Sequence, residues 1–174
     1  SMDITHESVF KYVPGYESAF AGKNDSHWII QEYIDGREFN VTVLASDNGP
    51  EVLPPAEMTF RNYEEGKPRI VDFRAKWETG SFEYENTIRN FPGKELDPEL
   101  DRRIRDTALS CWHVFGMKGY ARVDMRVDKD NIPFVIEVNA NPCISPDSGV
   151  VAAVAEAGMS FTEVVRRVLN DINQ

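Results

Sequence analysis

The sequence predicts an α+β fold, a mainly antiparallel sheet flanked by helices, and three observations carry that prediction. Two runs with period-two alternation, roughly 120–127 and 132–138, flank Asp128-Lys129-Asp130-Asn131, a cluster of turn formers in which Asn131 tolerates a left-handed backbone. A second such pattern, 27–34 and 37–45, is joined by Asp35-Gly36 and predicts another hairpin, with Phe39, Val41, Val43 and Ala45 on one face. Asp97-Pro98-Glu99 then opens a helix, aspartate as its cap and proline in its first turn. That helix should run to about Phe115 before Gly116 stops it.

Composition sets the outer limits. A chain of 174 residues suits one domain of ordinary size, or one plus part of another. With 41% hydrophobic and 28% charged residues it is globular rather than disordered. No apolar run approaches the roughly 20 residues that cross a bilayer, so no membrane partner is expected. No basic region followed by an apolar one opens the chain, and Cys111 and Cys143 are too few for a disulfide framework; a reducing cytoplasm is the expected compartment. The net charge of −10 argues against a nucleic-acid partner, whose binding rests on a basic surface, while leaving room for a local phosphate site.

Taken in order, residues 11–26 lack a clean period and read as loop. Asp47-Asn48-Gly49-Pro50 marks a turn, and 52–58 reads as an edge strand interrupted by Pro54 and Pro55, which cannot donate to a ladder. A polar loop covers 61–69, and 70–73 starts a further strand leading to Lys76. The segment 77–90 reads as a long loop, of the kind that is usually functional. On the helix from Asp97, the spacing of Leu100, Ile104, Ala108, Cys111 and Phe115 makes one apolar stripe, and His113 lies off it. A small-residue helix follows over 150–157, and Ser160-Phe161-Thr162-Glu163 is a capping box for a last helix carrying Val164, Val165, Val168 and Leu169.

The hairpin over 120–138 carries the chemistry. If the four turn residues close the loop, Val127 faces Ile132, Asp124 faces Val135 and Arg122 faces Glu137. Period two then places Arg122, Asp124, Glu137 and Asn139 on one face. Two carboxylates and an amide beside one fixed positive charge form a set of hard oxygen donors, which suits Mg²⁺, an ion that leaves part of its shell to substrate phosphates and water. A solvated strand face of mixed charge is the alternative. The turn-rich stretch that follows, Asn-Ala-Asn-Pro-Cys-Ile-Ser-Pro-Asp-Ser-Gly over 139–149, is crowded with hydroxyls and amides, like a loop built to hold a ligand.

Arg122-Val123-Asp124, a hairpin, and then Glu137-Val138-Asn139-Ala140-Asn141-Pro142 with a serine-containing loop closely resemble the metal-binding end of the ATP-grasp carboxylate-amine ligases, above all those of D-alanine-D-alanine ligase type. Gln31-Glu32-Tyr33-Ile34-Asp35-Gly36-Arg37-Glu38-Phe39 resembles their hinge strand with its ribose-binding glutamate, and Phe73-Arg74-Ala75-Lys76-Trp77 the segment with their phosphate-facing lysine. The resemblance implies an ATP-grasp fold: a remnant of the first lobe over 1–30, an interlobe hinge over 31–36 and the C-terminal lobe over 37–174. It implies a C–N ligase that makes an acyl phosphate from ATP and a carboxylate, which an amine then attacks.

By the same match, Gln31, Glu32, Tyr33 and Ile34 would meet adenine and Glu38 the ribose. Lys76 would face the transferred phosphate. Asp124, Glu137 and Asn139 would hold Mg²⁺ or Mn²⁺, Arg122 would steady the acyl phosphate and the oxyanion, and Ser148, with Ser145, would bind the second substrate's carboxylate. Cys143, Gly149, Trp77 and Arg74 depart from the family pattern, which leaves the substrates open between D-alanine and another small amino acid or peptide. Ile4-Thr5-His6-Glu7-Ser8-Val9 resembles the tail of the phosphate-covering loop without the glycine-rich part before it. The resemblance therefore implies a C-terminal fragment partnered by the N-terminal part of its own chain, and it leaves a homodimer open. The alternative function is a non-catalytic nucleotide-binding or regulatory module of the same fold.

Overall fold

The computed structural model describes residues 31–173. The expected phosphate-loop tail at Ile4 to Val9, the loop over 11–26, the first-lobe remnant over 1–30 and the start of the strand over 27–34 lie outside the described residues. Six strands form one antiparallel sheet in the order β4-β3-β1-β5-β6, with a short β2 also pairing with β1. The strands are β1 (Arg37–Leu44), β2 (Glu51–Val52), β3 (Ala56–Phe60), β4 (Thr87–Asn90), β5 (Tyr120–Val127) and β6 (Pro133–Asn139). Among the described residues five α-helices accompany them: α1 (Phe73–Trp77), α2 (Phe82–Asn86), α3 (Pro98–Val114), α4 (Gly149–Glu156) and α5 (Phe161–Ile172), with a short 3-10 turn at Gly93–Glu95.

β1 is the centre of the sheet because both of its edges are filled. β5 pairs along its whole length, from Arg37 opposite Val127 to Leu44 opposite Tyr120, while β3 and β2 share the other edge. That leaves no edge for the hairpin partner expected at 27–34, and residues 31–35 carry no strand. They cross instead over the end of β5. Gly36, with φ of 152°, makes the crossing possible, since a Cβ there would collide with the Val127 carbonyl oxygen.

Alternation along β1 and β5 sorts the sheet into an apolar and a polar face. Phe39, Val41, Val43 and Ala45 meet Ala121, Val123, Met125 and Val127 on the apolar face, and α3 closes it with Leu100, Ile104, Ala108 and Trp112. The helix starts as expected, Asp97 accepting from Leu100 N at 2.9 Å with proline in the first turn. Its buried stripe differs at the far end. Spacing of four carries the stripe from Ala108 to Trp112, so Cys111 is half-buried and Phe115, beyond the last turn, is exposed; His113 is exposed as expected.

The opposite face is apolar at one end only. Leu44 joins Val150, Ala153 and Val154 of α4 and Val164 of α5, with Tyr120 packed alongside. Ser160 caps α5, as the sequence predicts, and Ser148 caps α4, a role the sequence reading did not give it, whereas Val165 and Leu169 remain exposed. Three connecting segments differ from expectation. β3 is an interior strand between β1 and β4, with Pro54 and Pro55 just ahead of it rather than within it. Residues 70–73 are not a strand, because Asp72, 1% exposed, accepts from Ala75 N at 2.8 Å and starts α1 in their place. The loop expected over 77–90 contains α2, capped by Ser81, and β4, which pairs with β3.

Candidate functional site

The polar end of the sheet's second face depends on an irregularity in β6. Asp128 organises the turn: its Oδ1 accepts from Asp130 N and Ile132 N, both at 2.9 Å, and Asn131 adopts a φ of 59°. The turn therefore includes Ile132, and Val127 pairs with Pro133 rather than with Ile132. In a regular ladder this register would set Asp124 opposite Ile136 and send Glu137 and Asn139 to the apolar face, since a slip of one residue exchanges the faces. A bulge between the Met125–Val135 and Asp124–Glu137 pairs absorbs Ile136. Asp124 then faces Glu137 and Arg122 faces Asn139. The expected face is correct, but its register differs and rests on the bulge.

The side chains meet there. Arg122 grips Asp124 through both carboxylate oxygens, Nε to Oδ1 and Nη2 to Oδ2, each at 2.7 Å, and Asn40 Nδ2 donates to Asp124 Oδ1 at 2.9 Å. Burial pulls the Arg122 guanidinium down, yet the Asp124 carboxylate outweighs it and holds the group above its ordinary value. Glu137 makes no hydrogen bond or ion pair among the described residues, and Asn139 Oδ1 accepts from Asn141 N at 3.1 Å. In the loop beyond, Ser148 Oγ is occupied as the α4 cap, accepting from Val151 N at 3.3 Å. Ser145 Oγ donates to Asp147 at 2.6 Å and lies 3.2 Å from Cys143 Sγ. Its hydrogen bonds lower the exposed Cys143 thiol below the ordinary value.

Glu38 and Arg126 occupy the same face two residues further along. Glu38 is no surface carboxylate: it is 6% exposed and bonded to Arg126, and burial pushes its carboxyl up to about 7 against the opposing charges of Arg126 and Lys76. Lys76 itself is exposed on α1, and of the hinge residues Gln31, Glu32 and Tyr33 are exposed and Ile34 half-buried. Sequence reasoning missed Asn40, Arg126 and Arg89, which β4 places across from Met58 and which lies against Gly149. The signal for the first two was present: β5 bears a charge at 122, 124 and 126, and β1 a polar side chain at 38, 40 and 42, so the period-two face extends beyond the motif.

Among the described residues no group of three or more His, Cys, Asp or Glu side chains gathers as a metal cluster, and no helix is long and apolar enough to cross a membrane. Cys111 and Cys143 are unpaired.

An antiparallel sheet with this order of helices is the C-terminal lobe of the ATP-grasp class. The fold matches a crystal structure of D-alanine--D-alanine ligase from Bacillus anthracis complexed with ATP, with a TM-score of 0.59 and 24% identity, covering 81% of this chain and 39% of that one. A family model described as "D-ala D-ala ligase C-terminus" matches residues 15–170, and the chain belongs to that family. D-alanine--D-alanine ligase from Synechococcus sp. (strain JA-3-3Ab) is 32% identical over 157 residues, covering 90% of this chain and 44% of its own. That of Pseudothermotoga lettingae is 33% identical over 147 residues, covering 84% and 45%. The chain thus spans less than half the length of these relatives.

Proposed function

We propose that the chain is the nucleotide- and metal-binding part of an ATP-dependent carboxylate-amine ligase, which joins small amino acids or peptides through an acyl phosphate in the reducing cytoplasm. One observation carries this reading: the β6 bulge brings Arg122, Asp124, Glu137 and Asn139 onto one face, in line with Glu38.

The donor set fits a hard divalent cation. Asp124 Oδ2 has one hydrogen bond and so keeps a lone pair, Asn139 Oδ1 likewise keeps one, and the Glu137 carboxylate is unengaged among the described residues. Asp124, Glu137 and Asn139 would hold Mg²⁺, or Mn²⁺ in its place. The ion would supply charge neutralisation on the nucleotide phosphates.

The remaining chemistry belongs to side chains. A substrate carboxylate oxygen attacks the terminal phosphorus of ATP, the bond to ADP breaks, and Lys76 offsets charge on the phosphoryl group in flight. The neutral amine nitrogen then bonds to the acyl carbon, and collapse of the tetrahedral oxyanion breaks the carbon–oxygen bond to phosphate, which leaves with the proton that the amine gives up. Arg122 serves both steps: Asp124 fixes its Nε and Nη2, while Nη1 makes no hydrogen bond to a described residue and can donate to the oxyanion without reorganising. Ser148 keeps its hydroxyl proton free while capping α4, so it can donate to the second substrate's carboxylate.

ADP release by the full-length protein, with Mg²⁺ and a panel of carboxylates and amines, tests the reading. Glu137→Gln is expected to cut Mg²⁺-dependent turnover by roughly a hundredfold or more while leaving the melting temperature nearly unchanged, since a ligand charge goes and the volume stays. Near-normal turnover in that variant would overturn the metal assignment. Nucleotide binding without ADP release in any mixture would leave the non-catalytic module.

A further inference from the structure

Arg126 is 5% exposed and carries a full charge into the sheet, where a lone ion would be strongly disfavoured. It is not alone. Its Nη1 donates to Glu38 Oε2 at 2.9 Å and to the Arg69 carbonyl at 2.7 Å, its Nη2 to the Gly36 carbonyl at 3.1 Å, and its Nε to the Ile34 carbonyl. The Tyr33 ring lies over the same guanidinium, 5.1 Å from Cζ, and Tyr33 Oη accepts from Arg69 N at 3.3 Å. One rigid fork on β5 thus binds two stretches that are distant from it and from each other in sequence: residues 33–38, which run into the start of β1, and the segment ahead of α1. A lysine, with one compact ammonium, could not reach all four acceptors in this geometry.

Two results follow. The backbone over 33–36 has two of its carbonyls drawn toward β5, which fixes how the rest of that stretch is presented. Glu38 has a charged donor on one oxygen, which sets the carboxylate plane and favours its ionised form against burial.

We propose that Arg126 is a positioning residue for the nucleoside: it holds Glu38, beside the 33–36 backbone, in the arrangement that recognises the ribose, and so sets the preference for a ribonucleotide over its 2′-deoxy form. The inference rests on the nucleotide site of the proposed function, with Glu38 as its ribose carboxylate, and not on the ligation step. A merely structural tie would weaken all nucleotides alike, whereas a positioning role acts through the sugar hydroxyls.

The test is equilibrium binding of Mg²⁺-ATP and Mg²⁺-2′-deoxy-ATP by calorimetry to the full-length protein, its Arg126→Met, Arg126→Lys and Glu38→Gln variants, and the Arg126→Met/Glu38→Gln double variant. Thermal melts by circular dichroism identify the folded ones. Wild type should bind ATP about tenfold or more tightly than the deoxy form, and Arg126→Met should lose most of that preference by weakening ATP alone. The double variant should bind ATP no more weakly than the worse single variant, because both changes disable one arrangement.

A preference undiminished in folded Arg126→Met, or penalties that add in the double variant, would overturn the proposal. If Arg126→Met does not fold, Arg126→Lys decides: full retention of the preference overturns the proposal, and a reduced preference at normal deoxy-ATP affinity supports it. Loss of the preference in a protein that releases no ADP with any carboxylate would sink the ligase reading and uphold this one. Wild type that binds neither nucleotide overturns both.

Discussion

Glu38 shows what one buried charge does to a whole chain's response to pH. Burial raises its carboxyl from 4.5 to about 7, with Arg126 opposing. A carboxyl whose pKa is higher folded than unfolded holds its proton longer in the folded chain. Its contribution to stability is therefore fully present below about pH 4.5 and lost as pH rises through about 7. The interval corresponds to roughly 3 kcal/mol. Glu38→Gln removes the titration, and Arg126 keeps its three carbonyl acceptors in that variant. Denaturant unfolding at pH 5 and pH 8 should show wild type losing about 2–3 kcal/mol relative to Glu38→Gln over that range. Parallel profiles for the two proteins would mean that Glu38 titrates as an ordinary surface carboxyl.

At the scale of elements, the bulge in β6 decides which side chains share the site, and it makes a prediction that runs against intuition. Deleting Ile136 removes the extra residue, regularises the ladder and leaves Glu137 opposite Asp124. Divalent-dependent turnover of the full-length protein should survive that deletion. Deleting Val138, two residues away, shifts Asn139 to the apolar face and should abolish turnover. Equal damage from both deletions would show that the register has no part in the site.

Much of this was legible in residue order. The helix from Asp97, the left-handed Asn131, the cap at Ser160 and the face shared by Arg122, Asp124, Glu137 and Asn139 all follow from local pattern. The register did not, because Asp128 draws Ile132 into the turn through a side-chain bond that composition does not reveal. Nor did α1, where Asp72 could equally end a strand or cap a helix. The edges of β1 were beyond reach for a different reason: which strand fills an edge is settled by competition among distant segments, and β5 and β3 displace the neighbour that sequence adjacency favours. The functions of individual site residues rest on the family pattern and on the proposed ligase, and the structure shows where those residues lie.

Across the whole molecule, two apolar clusters lie on opposite faces of a shared pair of strands. Ile104 belongs to one and Val154 to the other, both almost fully buried, and each packs against β1 or its neighbours. Neither cluster can dissolve while the strands stay paired, so one cooperative transition is expected for the two. Ile104→Ala should lower stability by about 2–5 kcal/mol and Val154→Ala by about 1–3 kcal/mol. Both should move a single unfolding curve seen alike by far-UV dichroism and tryptophan fluorescence; separated curves would reveal two independent units.

β5 runs between those clusters with Arg122, Asp124 and Arg126 at alternate positions of its polar face. A strand advances about 3.3 Å per residue, so roughly 13 Å separates the first of these from the last, with Asp124 midway. Peptide bonds fix that length, and no loop motion stretches it. The strand is a gauge with three graduations, and the spacing of the charged groups it presents is set by covalent chemistry.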